Sequence, residues 1–147
     1  MFEVIYYSLT GNTRKVADAI AGELGVEAKN IKAVDTVAQD ALIFLGSGYY
    51  GAVLVKEISE FIEKNQLQGR KIALFGTSGF GWEKELSLME KQIANKGVEV
   101  VGRFNCFGRF AAVKIGHPTT EELDQARTFA RTIVQRVSAR QPIAVTA

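Results

Sequence analysis

The stretch YYSLTGNTRKVADAI, residues 6–20, follows the first apolar run of the chain and leads into its first helical pattern. It brings together three hydroxyl residues, a glycine and an amide: Ser8, Thr10, Thr13, Gly11 and Asn12. Val16, Ile20 and Leu24 then recur at helical spacing. A helix N-terminus offers free backbone N–H groups and a partial positive charge, which together favour a phosphate. We therefore predict a phosphate-binding turn over residues 8–13.

The residues of this turn also indicate which kind of phosphate it binds. No Lys-Ser or Lys-Thr pair follows a glycine loop, and there is no G-x-G-x-x-G, so the nucleoside-triphosphate and dinucleotide motifs are both excluded. A monophosphate without a metal ion fits better, because Gly11 lets the backbone approach closely and Arg14 and Lys15 add attraction. The alternative is an ordinary capping turn, since Thr and Asn cap many helices.

Short apolar runs alternate with amphipathic stretches along the chain, and this alternation predicts the fold. The predicted strands are residues 2–7, 26–31, 41–45, 72–75 and 98–104. Continuous apolar runs indicate strands that are buried on both faces, so we predict an α/β fold: a parallel sheet with helices on both sides, in three layers. The link between the second and third strands is short, and we expect a turn or two of helix there.

Three predicted loops follow the first, third and fourth strands, where open parallel sheets bind ligands. They read SLTGNT (8–13), GSGYYGA (46–52) and GTSGFGW (76–82), are rich in glycine and hydroxyls, and contain no acidic residue. Tyr49 or Tyr50 on one loop and Phe80 or Trp82 on another can sandwich a flat heterocycle. The alternative is that one or both of these aromatics cover the core.

At these loops the sequence resembles the flavodoxin family. The run Ser8-Leu9-Thr10-Gly11-Asn12-Thr13 is similar to the family's Thr/Ser-x-Thr-Gly-Asn-Thr phosphate loop, and residues 45–62 and 72–82 are similar to its second and third flavin loops. The resemblance covers roughly residues 1–137. It implies a flavodoxin-like sandwich with a five-stranded sheet of order 2-1-3-4-5, non-covalent FMN, and electron transfer to redox partners.

The same resemblance implies a role for each loop. The first loop holds the FMN phosphate, Tyr50 and Trp82 cover the two faces of the ring, and the peptide at Gly51 meets flavin N5. The third loop contacts the pyrimidine edge. The full predicted cofactor-binding set is Ser8, Leu9, Thr10, Gly11, Asn12, Thr13, Ser47, Gly48, Tyr49, Tyr50, Gly51, Thr77, Ser78, Gly79, Phe80 and Trp82.

Length and composition bound the remaining expectations. The chain has 147 residues, one cysteine and a net charge of +2, which fits one domain, residues 1–138, followed by a flexible tail, residues 139–147. One cysteine makes no internal disulfide, and we see no signal peptide, so we expect a cytoplasmic protein. Scattered Lys and Arg residues argue against nucleic-acid binding. No apolar run is long enough for a membrane span. His117 is the only histidine, which argues against a metal site.

We therefore predict an FMN-binding carrier of single electrons with no catalytic residue. Two alternatives stay open: an NAD(P)H-dependent flavin or quinone reductase, and a flavodoxin-like docking or sensing module without redox turnover. Typical flavodoxins are strongly acidic, whereas this chain has a pI near 8.7. Its redox partners are therefore expected to differ from the usual ones and to be acidic.

Overall fold

The computed structural model describes residues 1–48, 55–78, 84–107 and 116–140, and every structural statement below concerns these residues. Its strands are β1 (Phe2–Tyr7), β2 (Ala28–Asn30), β3 (Leu42–Gly48), β4 (Lys71–Ser78) and β5 (Glu99–Phe107). Its helices are α1 (Asn12–Leu24), α2 (Lys56–Lys64), α3 (Lys84–Ile93) and α4 (Thr120–Arg140). One 3-10 turn, Ile31–Ala33, lies between β2 and β3, which confirms the short crossover.

The five strands form one parallel sheet of order β2-β1-β3-β4-β5, as predicted. Near the carboxyl ends, Tyr7 pairs with Ser47 and Gly48 pairs with Thr77. Because all strands run the same way, β1, β3, β4 and β5 end along one edge of the sheet. The residues predicted to bind the cofactor follow or form these ends.

Helices cover both faces of the sheet, and each face has its own core. The helices α1 and α4 pack on one face, where Phe44 of β3 is fully buried. The helices α2 and α3 pack on the other face, where the adjacent Ile43 is fully buried. Successive strand residues thus enter opposite cores, which is why β1, β3 and β4 contain continuous apolar runs. In α4 the sequence pattern predicts an inward stripe of seven apolar residues: Leu123, Ala126, Phe129, Ala130, Ile133, Val134 and Val137. Ala126, Ala130, Ile133 and Val137 are buried, and the other three pack against the same core while partly exposed.

Gly46 in β3 makes room for an aromatic ring on the neighbouring strand. It pairs directly with Phe75 of β4. A β-carbon added at Gly46 would lie 2.0 Å from Cε2 of that ring, and Phe75 is fully buried. Two strands about 5 Å apart leave no space for both side chains at this point. The glycine is therefore required by packing rather than by backbone conformation.

A carboxylate ties the end of β5 to the start of α4. The two oxygens of Glu122 accept hydrogen bonds from the backbone N–H groups of Phe107 and Thr119, each at 3.0 Å, and Glu122 also contacts Nδ1 of His117. The hydroxyl of Thr119 accepts in return from the N–H of Glu122 at 3.1 Å. This reciprocal pair is a capping box. The sequence alone predicts either Thr119 or Thr120 as the cap, because Glu121 and Glu122 follow both, and the structure shows that Thr119 caps the helix.

The pKa of Glu122 reflects these contacts. Burial by itself would raise the pKa of this carboxyl, but the hydrogen bonds from Thr119, His117 and Phe107 together outweigh burial and lower it. A carboxylate whose pKa is lowered by folding stabilises the folded state above its ordinary pKa. That contribution is lost as the pH falls through the folded-state pKa.

The helix α4 extends to Arg140, whose guanidinium binds Glu99 at the start of β5 at 2.8 Å. Ala139 and Arg140, which the sequence analysis assigns to the tail, thus belong to the helix. The mobility of the tail stays a prediction, since residues 141–147 lie outside the described part.

Across the described helices, none combines the length and apolar character needed to cross a bilayer.

Replacing Gly46 with alanine is expected to destabilise the protein by about 1–3 kcal/mol, because the new methyl overlaps the buried ring of Phe75. The free energy of unfolding in urea measures this effect. Gly22→Ala is the matched control, since a β-carbon at Gly22 on α1 meets nothing within 4 Å and alanine favours helix. Equal stability of Gly46→Ala and the unaltered protein would show that this packing argument is wrong.

Replacing Glu122 with glutamine is expected to cost about 1–3 kcal/mol at pH 7, since a buried N–H loses its charged acceptor. The difference from the unaltered chain should shrink as the pH falls below the ordinary carboxyl pKa of 4.5. Unfolding in urea at a series of pH values measures both effects. Glu121→Gln, at the exposed neighbouring position, is the control, and a pH-independent difference for Glu122→Gln would contradict the assignment.

Candidate functional site

The turn between β1 and α1 is built around one glycine. Gly11 is the N-cap of α1 and has a left-handed backbone with φ of 88°, which side chains disfavour. Its N–H donates to the hydroxyl oxygen of Ser8 at 3.0 Å, which closes the turn. Glycine brings no side chain to cap the helix. The turn thus presents backbone at the N-terminus of α1, while the Ser8 hydroxyl keeps a proton to donate.

The first turn of α1 favours a bound anion electrostatically. It contains no acidic residue, so nothing there offsets the partial positive charge of the helix N-terminus. Asn12 and Thr13 are buried, whereas Arg14 and Lys15 are exposed beside them. A phosphate at this turn would therefore meet donors and positive charge without competing carboxylates.

Thr13 is hydrogen-bonded to the end of β4. Its hydroxyl oxygen lies 2.9 Å from that of Thr77, and both side chains are buried. Either hydroxyl can be the donor. If Thr77 donates, the proton of Thr13 is left to bind another acceptor. This bond joins the first predicted loop to the third across 64 residues of sequence.

The other described residues of the predicted set lie along the same edge in different environments. Leu9 is 66% exposed and Thr10 is also exposed, so both lie on the outside of the turn. The hydroxyl of Ser47 is fully buried and donates to the carbonyl of Gly48 at 3.1 Å. Ser78 is buried at the end of β4.

Six members of the predicted set lie outside the described residues: Tyr49, Tyr50, Gly51, Gly79, Phe80 and Trp82. The aromatic sandwich and the contact between Gly51 and flavin N5 therefore stay predictions. The described residues supply the base of the site, namely the turn, the N-terminus of α1 and the ends of β3 and β4.

Asn105 is a polar residue near this edge that the sequence analysis missed. Its side-chain oxygen is buried, and within the described ranges nothing donates a hydrogen bond to it. Asn105 pairs with Gly76 of β4, and its Oδ1 lies 3.5 Å from where a β-carbon on that glycine would be. An asparagine between Phe104 and Cys106, directly after the predicted strand 98–104, is the signal that would have drawn attention to it.

Cys106 lies near the end of β5, and its side chain is buried. Burial raises the pKa of its thiol to about 12, with a further contribution from the negative charge of Glu122. The thiolate is the reactive form of cysteine, so this residue is a poor nucleophile at neutral pH. The structure thus agrees with reading Cys106 as a small core residue.

A polar groove of about 1080 Å³ lies at the opposite edge of the sheet, where the strands begin. Its cations already have partners: Arg70 donates to the carbonyls of Ala38 and Ala41, and Lys96 binds Glu63 at 2.9 Å. Nowhere in the described ranges do three or more potential ligands cluster as a metal would require. The described residues of this groove thus do not indicate a catalytic or metal-binding site, and the carboxyl edge remains the candidate site.

A double-mutant cycle on the unloaded protein tests the bond between the first and third loops. Thr13→Val and Thr77→Val are each expected to cost about 1–3 kcal/mol, because each leaves a buried hydroxyl unpaired. The double variant should cost less than the sum by about 1 kcal/mol. Urea unfolding measures the three values, with Thr132→Val on the exposed face of α4 as the control. Strict additivity would mean that the hydroxyls do not interact.

Comparisons with known proteins agree with this geometry. A family model described as a flavodoxin domain matches residues 3–116. An uncharacterized protein, MJ0298 of Methanocaldococcus jannaschii, is 32% identical over 84% of this chain and 91% of its own length. The flavodoxin-like domain-containing protein BilS of Clostridioides difficile is 34% identical over 74% of this chain, which spans 66% of BilS, slightly under two thirds.

A solved structure supports the fold independently. The crystal structure of oxidised flavodoxin 1 from Bacillus cereus superposes with a TM-score of 0.73 at 21% identity, covering 91% of this chain and 97% of that one. The domain match over most of the chain, the relatives and the strand order all agree. The protein belongs to the flavodoxin family, whose members carry electrons on a bound flavin.

Proposed function

We propose that this protein binds FMN non-covalently and carries single electrons between redox proteins. The observation that carries the proposal is the start of α1, where a left-handed glycine N-cap and an acid-free first turn meet the ends of β3 and β4. FMN ends in one phosphate. This matches a turn that lacks the Lys-Ser or Lys-Thr pair of nucleoside-triphosphate loops.

In this proposal the residues of the turn hold the phosphate in complementary ways. The backbone N–H groups at the start of α1 donate to its oxygens, and Gly11 leaves room for close approach. Ser8 and Thr10 add hydroxyl donors, and Asn12 supports the turn. Thr13 donates to the phosphate from a position that is fixed by its hydrogen bond with Thr77 at the end of β4.

The bound flavin supplies the redox chemistry, which this chain's side chains do not perform. The chain's own part is to orient the ring and exclude water from it. Tyr50 and Trp82 cover its two faces, the peptide at Gly51 meets its N5 edge, and residues 77–79 contact its pyrimidine edge. The single cysteine fits a reducing cytoplasm as the location.

Titrating the unloaded protein with FMN and following fluorescence tests this proposal. Trp82 is the only tryptophan, and a stacked flavin should quench it strongly. FMN should bind at least about tenfold more tightly than riboflavin, which lacks the phosphate. Equal affinities for FMN and riboflavin would contradict the phosphate turn. Unchanged fluorescence, with binding seen by flavin absorbance, would remove Trp82 from the site. No binding of FMN would overturn the proposal.

Two glycine variants separate the phosphate contact from backbone strain. Gly11→Ala and Gly25→Ala introduce a side chain at the two ends of α1, where φ is 88° and 71° and neither new β-carbon meets an atom within 4 Å. Both should lose similar stability, about 1 kcal/mol. Only Gly11→Ala should weaken FMN binding in the same titration. Equal weakening by both variants would assign the effect to strain alone.

A further inference from the structure

Exposed cations mark the start of each of the three helices that surround the candidate site. Arg14 and Lys15 lie in the first turn of α1, Lys56 begins α2 and Lys84 begins α3. All four residues are exposed, and the side chains of Arg14 and Lys56 are 66% and 82% exposed. Because each helix follows a parallel strand, its first turn lies at the carboxyl edge of the sheet.

Helix stability does not account for this placement. The partial positive charge of a helix N-terminus favours acidic residues there and disfavours cations. The ion pairs Arg14–Asp18, at 3.8 Å, and Lys56–Glu60, at 3.6 Å, have the cation on the N-terminal side. That order is the less stabilising one on a helix. In both pairs the cation lies at the carboxyl edge and the acid lies one turn farther from it.

The cations also approach the site from both faces of the sheet. The helix α1 packs on one face, and α2 and α3 pack on the other. The sequences of the loops predicted to hold the flavin, residues 8–13, 46–52 and 76–82, contain no acidic residue. Acidic residues also occur in the first turns of α2, α3 and α4, namely Glu57, Glu85, Glu121 and Glu122. Of these, Glu57 is half-buried and Glu122 is directed toward the N–H groups of Phe107 and Thr119.

We propose that the carboxyl edge is the docking surface for a redox protein with an acidic surface, an inference that rests on the proposed function. Arg14, Lys15, Lys56 and Lys84 steer the acidic surface onto the edge where the flavin binds. Each encounter transfers one electron between the partner's redox centre and the flavin. One of the two is oxidised by one electron and the other reduced, and no covalent bond is made or broken.

A pair of double variants with the same net charge tests this surface. Lys56→Gln with Lys84→Gln removes two cations at the start of α2 and α3. Lys64→Gln with Lys91→Gln removes two exposed cations in the last turns of the same helices, at the opposite edge. None of the four lysines belongs to the predicted cofactor-binding set. Both variants are loaded with FMN, and their FMN content is measured first.

The rate constant for reduction by a dithionite-reduced acidic ferredoxin is then measured by stopped flow at low and high salt. At low salt, removing Lys56 and Lys84 should slow the reaction about threefold to tenfold, with the Lys64 and Lys91 variant within about twofold of the unaltered protein. High salt should remove the difference. The rate of electron transfer from the reduced protein to basic cytochrome c should show no such loss.

A second readout does not depend on the flavin. On a sulfonated cation-exchange resin, the unloaded Lys56 and Lys84 variant should elute at lower salt than the Lys64 and Lys91 variant, although their net charges are equal. Equal rates with equal elution would overturn the docking surface while leaving FMN binding intact. Loss of FMN by the unaltered chain would overturn the proposed function, and this inference with it.

Discussion

The strand β3 is hydrogen-bonded in parallel to β1 on one side and to β4 on the other, and the arrangement of the site follows from this pairing. Parallel strands require a crossover between them, and here α1 and α4 cover one face while α2 and α3 cover the other. The loops that follow β1, β3 and β4 consequently begin at the same edge of the sheet. The buried Thr13–Thr77 hydrogen bond then fixes the start of α1 against the end of β4.

The amino and carboxyl edges of the sheet differ in where their cations lie. At the amino edge, Arg70 binds backbone carbonyls and Lys96 binds Glu63, whereas Lys64 and Lys91 are exposed. At the carboxyl edge, cations stand in first helical turns, where the local field works against them. The proposed phosphate-binding turn and the proposed docking surface lie on the same edge, where the N-terminus of α1 and the first-turn cations both contribute positive potential.

Much of the fold could be predicted from the sequence, because the apolar patterns that indicate strands and helices are local and because one specific motif indicates the family. The apolar runs predicted the strands, and the inward stripe of α4 was predicted down to Val137. The strand order came from the resemblance, which rests on the run from Ser8 to Thr13. The contacts that complete the site were not readable. The Thr13–Thr77 bond spans 64 residues, and the orphaned oxygen of Asn105 is defined only by its neighbours in three dimensions.

Cys106 bears on how this protein handles electrons. Its thiol is buried and its pKa is raised to about 12, so at neutral pH almost none of it is in the thiolate form that reacts with oxidants and disulfides. A thiol of ordinary pKa this near the edge would offer a slow side reaction for peroxide formed when a reduced flavin meets oxygen. Because the thiol stays protonated, Cys106 is a poor target for such an oxidant at neutral pH, and this position near the end of β5 acts as a packing residue.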